Sequence, residues 1–174
     1  RHISRWSEDK SNLSDLAKIS CALLLSLKGT VCIYQGEELG QTETKLEFKE
    51  LTDPPGIEFW PEEAGRDGCR TPMVWNSQKL NAGFSEVKPW LPVKKEQKQK
   101  SVDLQEDKND SVLSFYKEMI KARKEHFKEI YDFDFISSND LLIFSKGSSK
   151  KIICIFNLDN ETKRIEKNNY QYDS

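Results

Sequence analysis

Apolar and polar positions follow two different periods along this chain, and the change of period divides it. Leu13, Leu16, Ala17, Ile19, Leu23, Leu24 and Leu27 recur at the three-and-four spacing of a helix face. Ser11 or Ser14 stands where an N-cap belongs, and Gly29 where a C-terminal cap glycine belongs. Val31-Cys32-Ile33-Tyr34, led by Thr30, is a short unbroken apolar run. Such a run predicts a strand buried on both faces, as in a parallel sheet. Helix and strand together make half of a repeating α/β unit. A second helix is predicted from Asp110 or Ser111 to His126, with Val112, Leu113, Phe115, Tyr116, Met119, Ile120 and Arg123 on one broad face. Beyond it the period shortens: Tyr131–Ile136, Leu141–Ser145 and Ile152–Leu158 read as strands. The turns between them are Ser137-Ser138-Asn139-Asp140 and Lys146-Gly147-Ser148-Ser149. An α/β unit followed by consecutive short strands predicts two domains of different class.

Two stretches keep neither period. From Gln41 to Val93 the chain is rich in Pro, Gly and Trp, with Asp53-Pro54-Pro55-Gly56 and Gly65-Arg66-Asp67-Gly68 as its tightest punctuation. Phe48, Ile57, Phe59, Trp60, Met73, Trp75, Phe84, Trp90 and Leu91 make it too apolar for disorder. It reads as an ordered, self-packed loop, and loops of that length are usually functional. Lys94 to Asn109 is a charged run with acids interspersed among the lysines, which favours a solvated surface linker over an interaction patch.

Composition removes several classes of function. The 174 residues hold 27 Lys+Arg against 29 Asp+Glu, a net charge of −2, so no global basic footprint for nucleic acid exists. The longest apolar cluster, Cys21 to Leu27, is broken by Ser26 and falls far short of the ~20 residues of a membrane span. No signal peptide is visible, so a cytoplasmic protein without a membrane partner is expected. No oligomeric state is readable. The first residue is Arg1 rather than Met, and the length is expected to be a partial count. The four cysteines form no CxxC pair, and Cys21, Cys32 and Cys154 lie in apolar segments. Buried free thiols acting as small hydrophobes are favoured there over a disulfide framework. His2 and His126 are far apart, which supports no zinc site, and no local signature of a Ser-His-Asp or Cys-His device is present.

Particular blocks carry a family resemblance. Gly29-Thr30-Val31-Cys32-Ile33-Tyr34-Gln35-Gly36-Glu37-Glu38-Leu39-Gly40 resembles the eighth-strand motif of the α-amylase superfamily, the family 13 glycoside hydrolases. Asp53-Pro54-Pro55-Gly56-Ile57-Glu58-Phe59-Trp60-Pro61 is similar to the loop after that strand in the family's bacterial α-glucosidases. The sharpest match is Gly65-Arg66-Asp67-Gly68-Cys69-Arg70-Thr71-Pro72-Met73-Val74-Trp75, continued by Ala82-Gly83-Phe84-Ser85 and Trp90-Leu91-Pro92-Val93. Ser111 to His126 resembles the last barrel helix, which ends in an Arg-Lys pair, here Arg123-Lys124. The resemblance implies an α/β fold: the C-terminal portion of a (β/α)₈ barrel over residues 1–128, then the start of an all-β antiparallel domain over 129–174. A complete barrel takes about 250 residues, so a fragment is implied.

The resemblance also implies a chemistry. Family 13 enzymes hydrolyse with retention, using an Asp nucleophile, a Glu acid/base and an auxiliary Asp. Retention needs two carboxyl groups about 5–5.5 Å apart. The auxiliary Asp belongs to an Asn-His-Asp motif a few residues before an arginine that resembles Arg1, so all three carboxylates are expected outside this sequence and no catalytic residue within it. Glu37 and Glu38, adjacent in an extended strand end, would point to opposite faces and could not flank one bond. Their expected role is loop anchoring through hydrogen bonds to backbone amides. Glu62 and Glu63 have no identifiable acid/base partner.

What remains is a binding wall for a small α-glucoside or oligosaccharide, with no metal or organic cofactor implied. Arg66 leads as a cation near the catalytic carboxylates or the glucosyl hydroxyls, since its planar fork suits both. Arg70 follows, with an ion pair to Asp67 an equal alternative, and Arg1 and Trp60 complete the candidate substrate-binding set. Trp60, Trp75 and Trp90 are able to stack on sugar rings, although packing of the loop onto the barrel is favoured. Pro55 stands where the family has an aromatic, Glu58 where it has a basic residue, and Asn76 where it has Asp. The leading expectation is part of an α-glucosidase releasing terminal α-linked glucose from short oligosaccharides, inactive as this piece alone. The alternatives are a non-catalytic carbohydrate-binding or scaffold remnant, or part of a transglycosylating or isomerising relative.

Overall fold

A computed structural model describes residues 1–6, 12–127, 132–136, 141–147, 152–159 and 161–165. Two long helices form its centre: α2 (Leu13–Ser26) and α7 (Val112–His126). Before α2 lies one short helix, α1 (His2–Trp6), and between α2 and α7 lie four more: α3 (Pro54–Glu58), α4 (Asp67–Arg70), α5 (Lys95–Lys98) and α6 (Val102–Gln105). Three strands follow, β1 (Phe133–Ile136), β2 (Leu142–Lys146) and β3 (Ile152–Phe156), in an antiparallel meander of order β1-β2-β3. The four-residue turn after β1 falls outside the described residues.

Ala17, Cys21 and Leu25 recur every four residues on α2 and are the apolar side chains it buries fully, while the flanking leucines are half-buried. These side chains meet Val112 and Tyr116 of α7 and Ile3 of α1, with Val31 and Ile33 packed against them. Burying each large member contributes roughly 1.5–3 kcal/mol. Cys21 behaves as the small hydrophobe expected, since burial pushes its thiol up to about 12. Burial likewise pushes the Tyr116 phenol up, and its hydroxyl has no hydrogen-bond partner among the described residues.

The helix boundaries follow local chemistry. Ser111 caps α7 by accepting the Ser114 N–H at 3.0 Å. Helix α2 starts after Asn12 without a side-chain cap and ends at Ser26, with Leu27 as its C-cap residue, whose N–H reaches the Leu23 carbonyl. Gly29 does take a left-handed φ of 94°, but one position later than a C-terminal cap glycine stands. The carbonyls at this helix end are closed from a distance instead. Arg123 of α7 donates to the carbonyls of Leu25, of Leu27 at 2.8 Å and of Gly29 at 2.6 Å. Lys146 of β2 donates to the Ser26 carbonyl at 2.7 Å and sits 4.4 Å from the Phe127 ring centroid.

Several expectations change here. The run Val31 to Tyr34 takes no regular secondary structure and joins no ladder among the described residues, and Cys32 and Tyr34 are exposed. An inner strand needs a neighbour on each side, and among the described residues no strand pairs with it. Lys146 is the buried last residue of β2 rather than a turn residue, because the helix carbonyls receive its ammonium. The charged run after Lys94 is a clasp, not a solvated linker. Lys94 Nζ pairs with Glu50 at 2.6 Å, buried Gln97 donates to Thr71 Oγ1 at 2.7 Å, and Asp103 accepts the Ser77 N–H at 3.0 Å.

The strands form within the short apolar runs that predict them, but burial does not alternate along them: β2 buries Ile143 to Lys146 in succession. Phe144 pairs opposite Phe135 and Cys154 in the register and also stacks diagonally on Phe133 at 4.8 Å and Phe156 at 5.8 Å.

The Arg123 cap gives a test. Arg123→Ala should lower unfolding stability by about 2 kcal/mol, since it removes charged donors from three carbonyls. Exposed Lys124→Ala should change it by less than ~0.5 kcal/mol in the same urea titration.

Candidate functional site

The site is built where the start of the chain, the Val31–Gly40 segment and the long loop converge. Gly36, with φ of 90°, turns the chain after Tyr34, and a Cβ there would stand 2.9 Å from Arg1 Nε. Arg1 can lie against this turn because glycine leaves the space. Its buried guanidinium donates to the carbonyls of Gln35 at 3.2 Å, Thr42 at 2.8 Å and Gly68 at 3.4 Å. Burial lowers its pKa.

Glu37 and Glu38 begin a 3-10 turn, Glu37–Leu39, rather than extending the strand. Both anchor backbone amides as expected: Glu37 accepts from Tyr34 N–H at 3.2 Å and Glu38 from Gly36 N–H at 2.8 Å. Glu37 also meets His2 Nδ1 at 2.9 Å.

The long loop is fastened by two buried aspartates. Asp53 precedes α3 at its N-cap position, yet its side chain makes no cap. Pro54 and Pro55 fill the first helical positions and carry no N–H for it to accept. The carboxylate turns to the facing strand of loop instead, accepting Arg66 N–H at 2.8 Å, Arg66 Nη2 at 2.9 Å and Arg70 Nη1 at 3.4 Å. In the other direction Asp67 Oδ2 accepts Thr52 N–H at 2.6 Å and Asp53 N–H at 2.8 Å. Gly65 makes this approach possible: with φ of 64°, its Cβ would stand 2.6 Å from Asp53 Oδ2. The Arg66 side chain is the main cause holding the Asp53 carboxyl below the usual carboxylate range.

These segments enclose an open cleft of about 580 Å³, lined by Arg1, Tyr34, Glu37, Arg66, Cys69 and Arg70, with His2, Arg5 and Trp6 on the α1 side. Three of the four candidate residues are therefore brought together. Trp60 is not among the lining residues; it is 37% exposed with its ring 6.1 Å from Phe48. Trp75 and Trp90 are exposed rather than packed, because Leu39, Val74 and Ala82 and, separately, Leu46, Leu51 and Leu91 supply the loop's cores. Arg70 pairs with Asp53, not with Asp67, whose Oδ2 accepts backbone amides and whose buried Oδ1 has no hydrogen-bond partner among the described residues. Cys32 is exposed, against the expected burial, because its face of the unpaired segment is uncovered.

Asp53, Tyr34 and the Glu37–His2 pair were not singled out by residue type or spacing as site residues. The double proline after Asp53 was the available signal, since it removes the amides of the first two helical positions that a capping carboxylate could otherwise meet. The cleft is rich in guanidinium groups, with Glu37 as its one lining carboxylate among the described residues. Both Glu37 oxygens are engaged, so the surface can bind and orient a polar ligand but holds no free acid/base pair. Among the described residues no group of three or more His, Cys, Asp or Glu side chains is arranged to hold a metal ion, and no helix is long and apolar enough to cross a membrane.

Comparison with known proteins accords with this geometry. The family model for the α-amylase catalytic domain matches residues 1–132. A probable alpha-glucosidase of Rhizobium meliloti (strain 1021) is 41% identical over 169 residues, covering 95% of this chain and 30% of the relative. An oligo-1,6-glucosidase of Parageobacillus thermoglucosidasius is 32% identical over 186 residues, covering 93% of this chain and 33% of its own length. Among solved structures, the alpha-glucosyl transfer enzyme XgtA is similar with a TM-score of 0.82 at 38% identity, over 91% of this chain and 30% of that one. This chain thus spans about a third of the length of the relatives it matches.

Two tests follow from the aspartate brace. Gly65→Ala should cost about 1–3 kcal/mol in urea unfolding, since its methyl would enter the Asp53 carboxylate. Because the folded-state pKa of Asp53 is depressed, its stabilisation is present above the ordinary carboxylate pKa and is lost as pH falls through the folded value. The stability gap between wild type and Asp53→Asn should therefore narrow as pH falls from about 7 towards 3, and a constant gap would refute this role.

Proposed function

This chain belongs to the family of α-amylase catalytic domains, as a C-terminal portion of a (β/α)₈ fold running into an antiparallel sheet, and from that premise we propose that it forms one wall of the sugar site of a retaining α-glucosidase. The substrates are short oligosaccharides with a terminal α-linked glucose. The observation that carries the reading is 41% identity along 95% of the chain with a probable alpha-glucosidase, beside a family match over residues 1–132 that includes the segments lining the cleft.

The cleft supplies Arg1, Arg66, Arg70 and Tyr34 for binding and orientation. Guanidinium groups suit both carboxylates and sugar hydroxyls, because their donors lie in one plane. Retaining hydrolysis needs two carboxyl groups about 5–5.5 Å apart, one protonated and one ionised. Glu37, the lone lining carboxylate among the described residues, is held by His2 and the Tyr34 amide. On this reading the reacting carboxylates stand opposite the cleft, on parts of the enzyme outside this chain. Residues 1–128 belong to the barrel and 129–174 to a β domain, a division supported by the family match to residue 132 and the first strand at Phe133.

A glucosyl-transferring enzyme is the second reading, favoured by the likeness to XgtA at 38% identity. The two differ in the acceptor, water or a sugar hydroxyl, after the same first step. The test is an aryl α-glucoside assay with anomer analysis. The full-length protein carrying this chain should release α-glucose, and transfer products should stay minor at low acceptor concentration. The 174-residue chain alone should give no turnover. Release of β-glucose, no release by the full-length protein, or turnover by the isolated chain would overturn the corresponding part of the proposal.

A further inference from the structure

The guanidinium groups of Arg1, Arg5, Arg66 and Arg70 line the cleft, with Glu37 as the one lining carboxylate among the described residues. Arginine and carboxylate side chains that share a cleft ordinarily pair, because the planar fork meets both oxygens at once. Here they do not. Among the described residues Glu37 pairs with His2, Nδ1 to Oε1 at 2.9 Å, and with no arginine. Arg66 and Arg70 turn to Asp53, and Arg1 turns to backbone carbonyls. Arg5 stands three residues beyond His2, on the same face of α1.

The His2–Glu37 pair is nearly buried, with side chains 18% and 12% exposed. The second Glu37 oxygen accepts the Tyr34 N–H at 3.2 Å, so both oxygens are held. The carboxylate lies near the helix core. Burial is the main cause that pushes the Cys21 thiol and the Tyr116 phenol up, and the Glu37 charge adds to both. A carboxylate so placed needs a strong donor. His2 supplies it, and Nδ1 carries the proton because an ionised carboxylate only accepts. Nε2 is buried with no hydrogen-bond partner among the described residues, so the polar anchoring of this ring runs through Glu37.

We propose that His2 is a positioning residue that holds Glu37 against the helix core and so keeps this carboxylate away from the guanidinium groups of the cleft. A released Glu37 would turn to one of those groups and close the cleft to a polar ligand. The inference rests on the proposed glucosidase reading for the substrate of its assay, whereas the placement of Glu37 is independent of it.

Suppression separates this role from a merely structural one. In the full-length protein, His2→Leu should raise KM for p-nitrophenyl α-D-glucoside about tenfold with kcat within about threefold, because substrate must displace a closed state. Adding Glu37→Gln should undo the loss, leaving the double variant with a KM within about twofold of Glu37→Gln alone. His2→Asn, whose amide places a donor near the Nδ1 position, should recover most of the affinity. A wild-type KM in His2→Leu, or a double variant no better than His2→Leu, would overturn the proposal. Should His2→Leu fail to fold, His2→Phe takes its place, since it keeps a ring beside Trp6 and lacks the donor.

A second readout does not depend on turnover. A crystal structure of the full-length His2→Leu protein should place the Glu37 carboxylate within about 4 Å of a guanidinium lining the cleft. Glu37 still on the Tyr34 amide and clear of every arginine would refute the positioning role. If the wild-type protein turns over no α-glucoside, the glucosidase reading fails and this structure still decides where His2 holds Glu37.

Discussion

Between Leu27 and Ser111 this chain has little regular structure, and its backbone polar groups must still be satisfied. In a sheet or long helix the ladder does this automatically; here long polar side chains do it. Arg1 serves the carbonyls of Gln35, Thr42 and Gly68, and Gln41 donates to the Gln97 carbonyl. Asp67 collects amides of Thr52 and Asp53, while Asp53 collects that of Arg66. Each such contact joins segments that are well separated in sequence, so the loop's shape is set by a small number of side chains. Loss of one partner leaves a buried donor or acceptor unmet, which costs about 1–3 kcal/mol.

The same constraint explains why structure and site coincide. The groups that fasten the loop are arginines and aspartates, and they converge beside Gly36 and Gly65, where missing side chains let backbones and guanidinium groups approach. A cleft rich in positive charge is the result. Its arginines are already oriented by contacts of their own, so they need little reordering to meet a ligand, and preorganisation of this kind lowers the entropic cost of binding.

The sheet is tied to the helices by a similar device. Lys146 leaves β2 to reach the last carbonyls of α2, beside the Arg123 contacts to the same helix end. Two cations at one C-terminus fit the negative end of the helix dipole. Burial lowers the Lys146 pKa, and the nearby Arg123 charge acts in the same direction. The carbonyl contacts and the Phe127 ring give the ammonium its place despite that cost.

By itself the sequence determined the parts whose causes are local. The apolar period and Ser111 set α7, short apolar runs rich in Phe and Ile set the three strands, and the Gly-Arg-Asp-Gly block pointed to the wall of the cleft. Glu37 and Glu38 were rightly read as anchors of backbone amides, because an adjacent turn offers such amides. Tertiary structure alone decided the parts whose partners lie far away. Arg123 caps a helix almost a hundred residues earlier, and Lys146 does so from a strand. Arg70 pairs with Asp53 rather than with Asp67, three residues away in sequence, whose Oδ2 accepts amides and whose Oδ1 is buried. The run Val31 to Tyr34 looked like a buried strand, yet one strand cannot supply its own neighbours. Local pattern specifies what a segment can form; only the folded neighbours determine which hydrogen-bond partners remain for each charge.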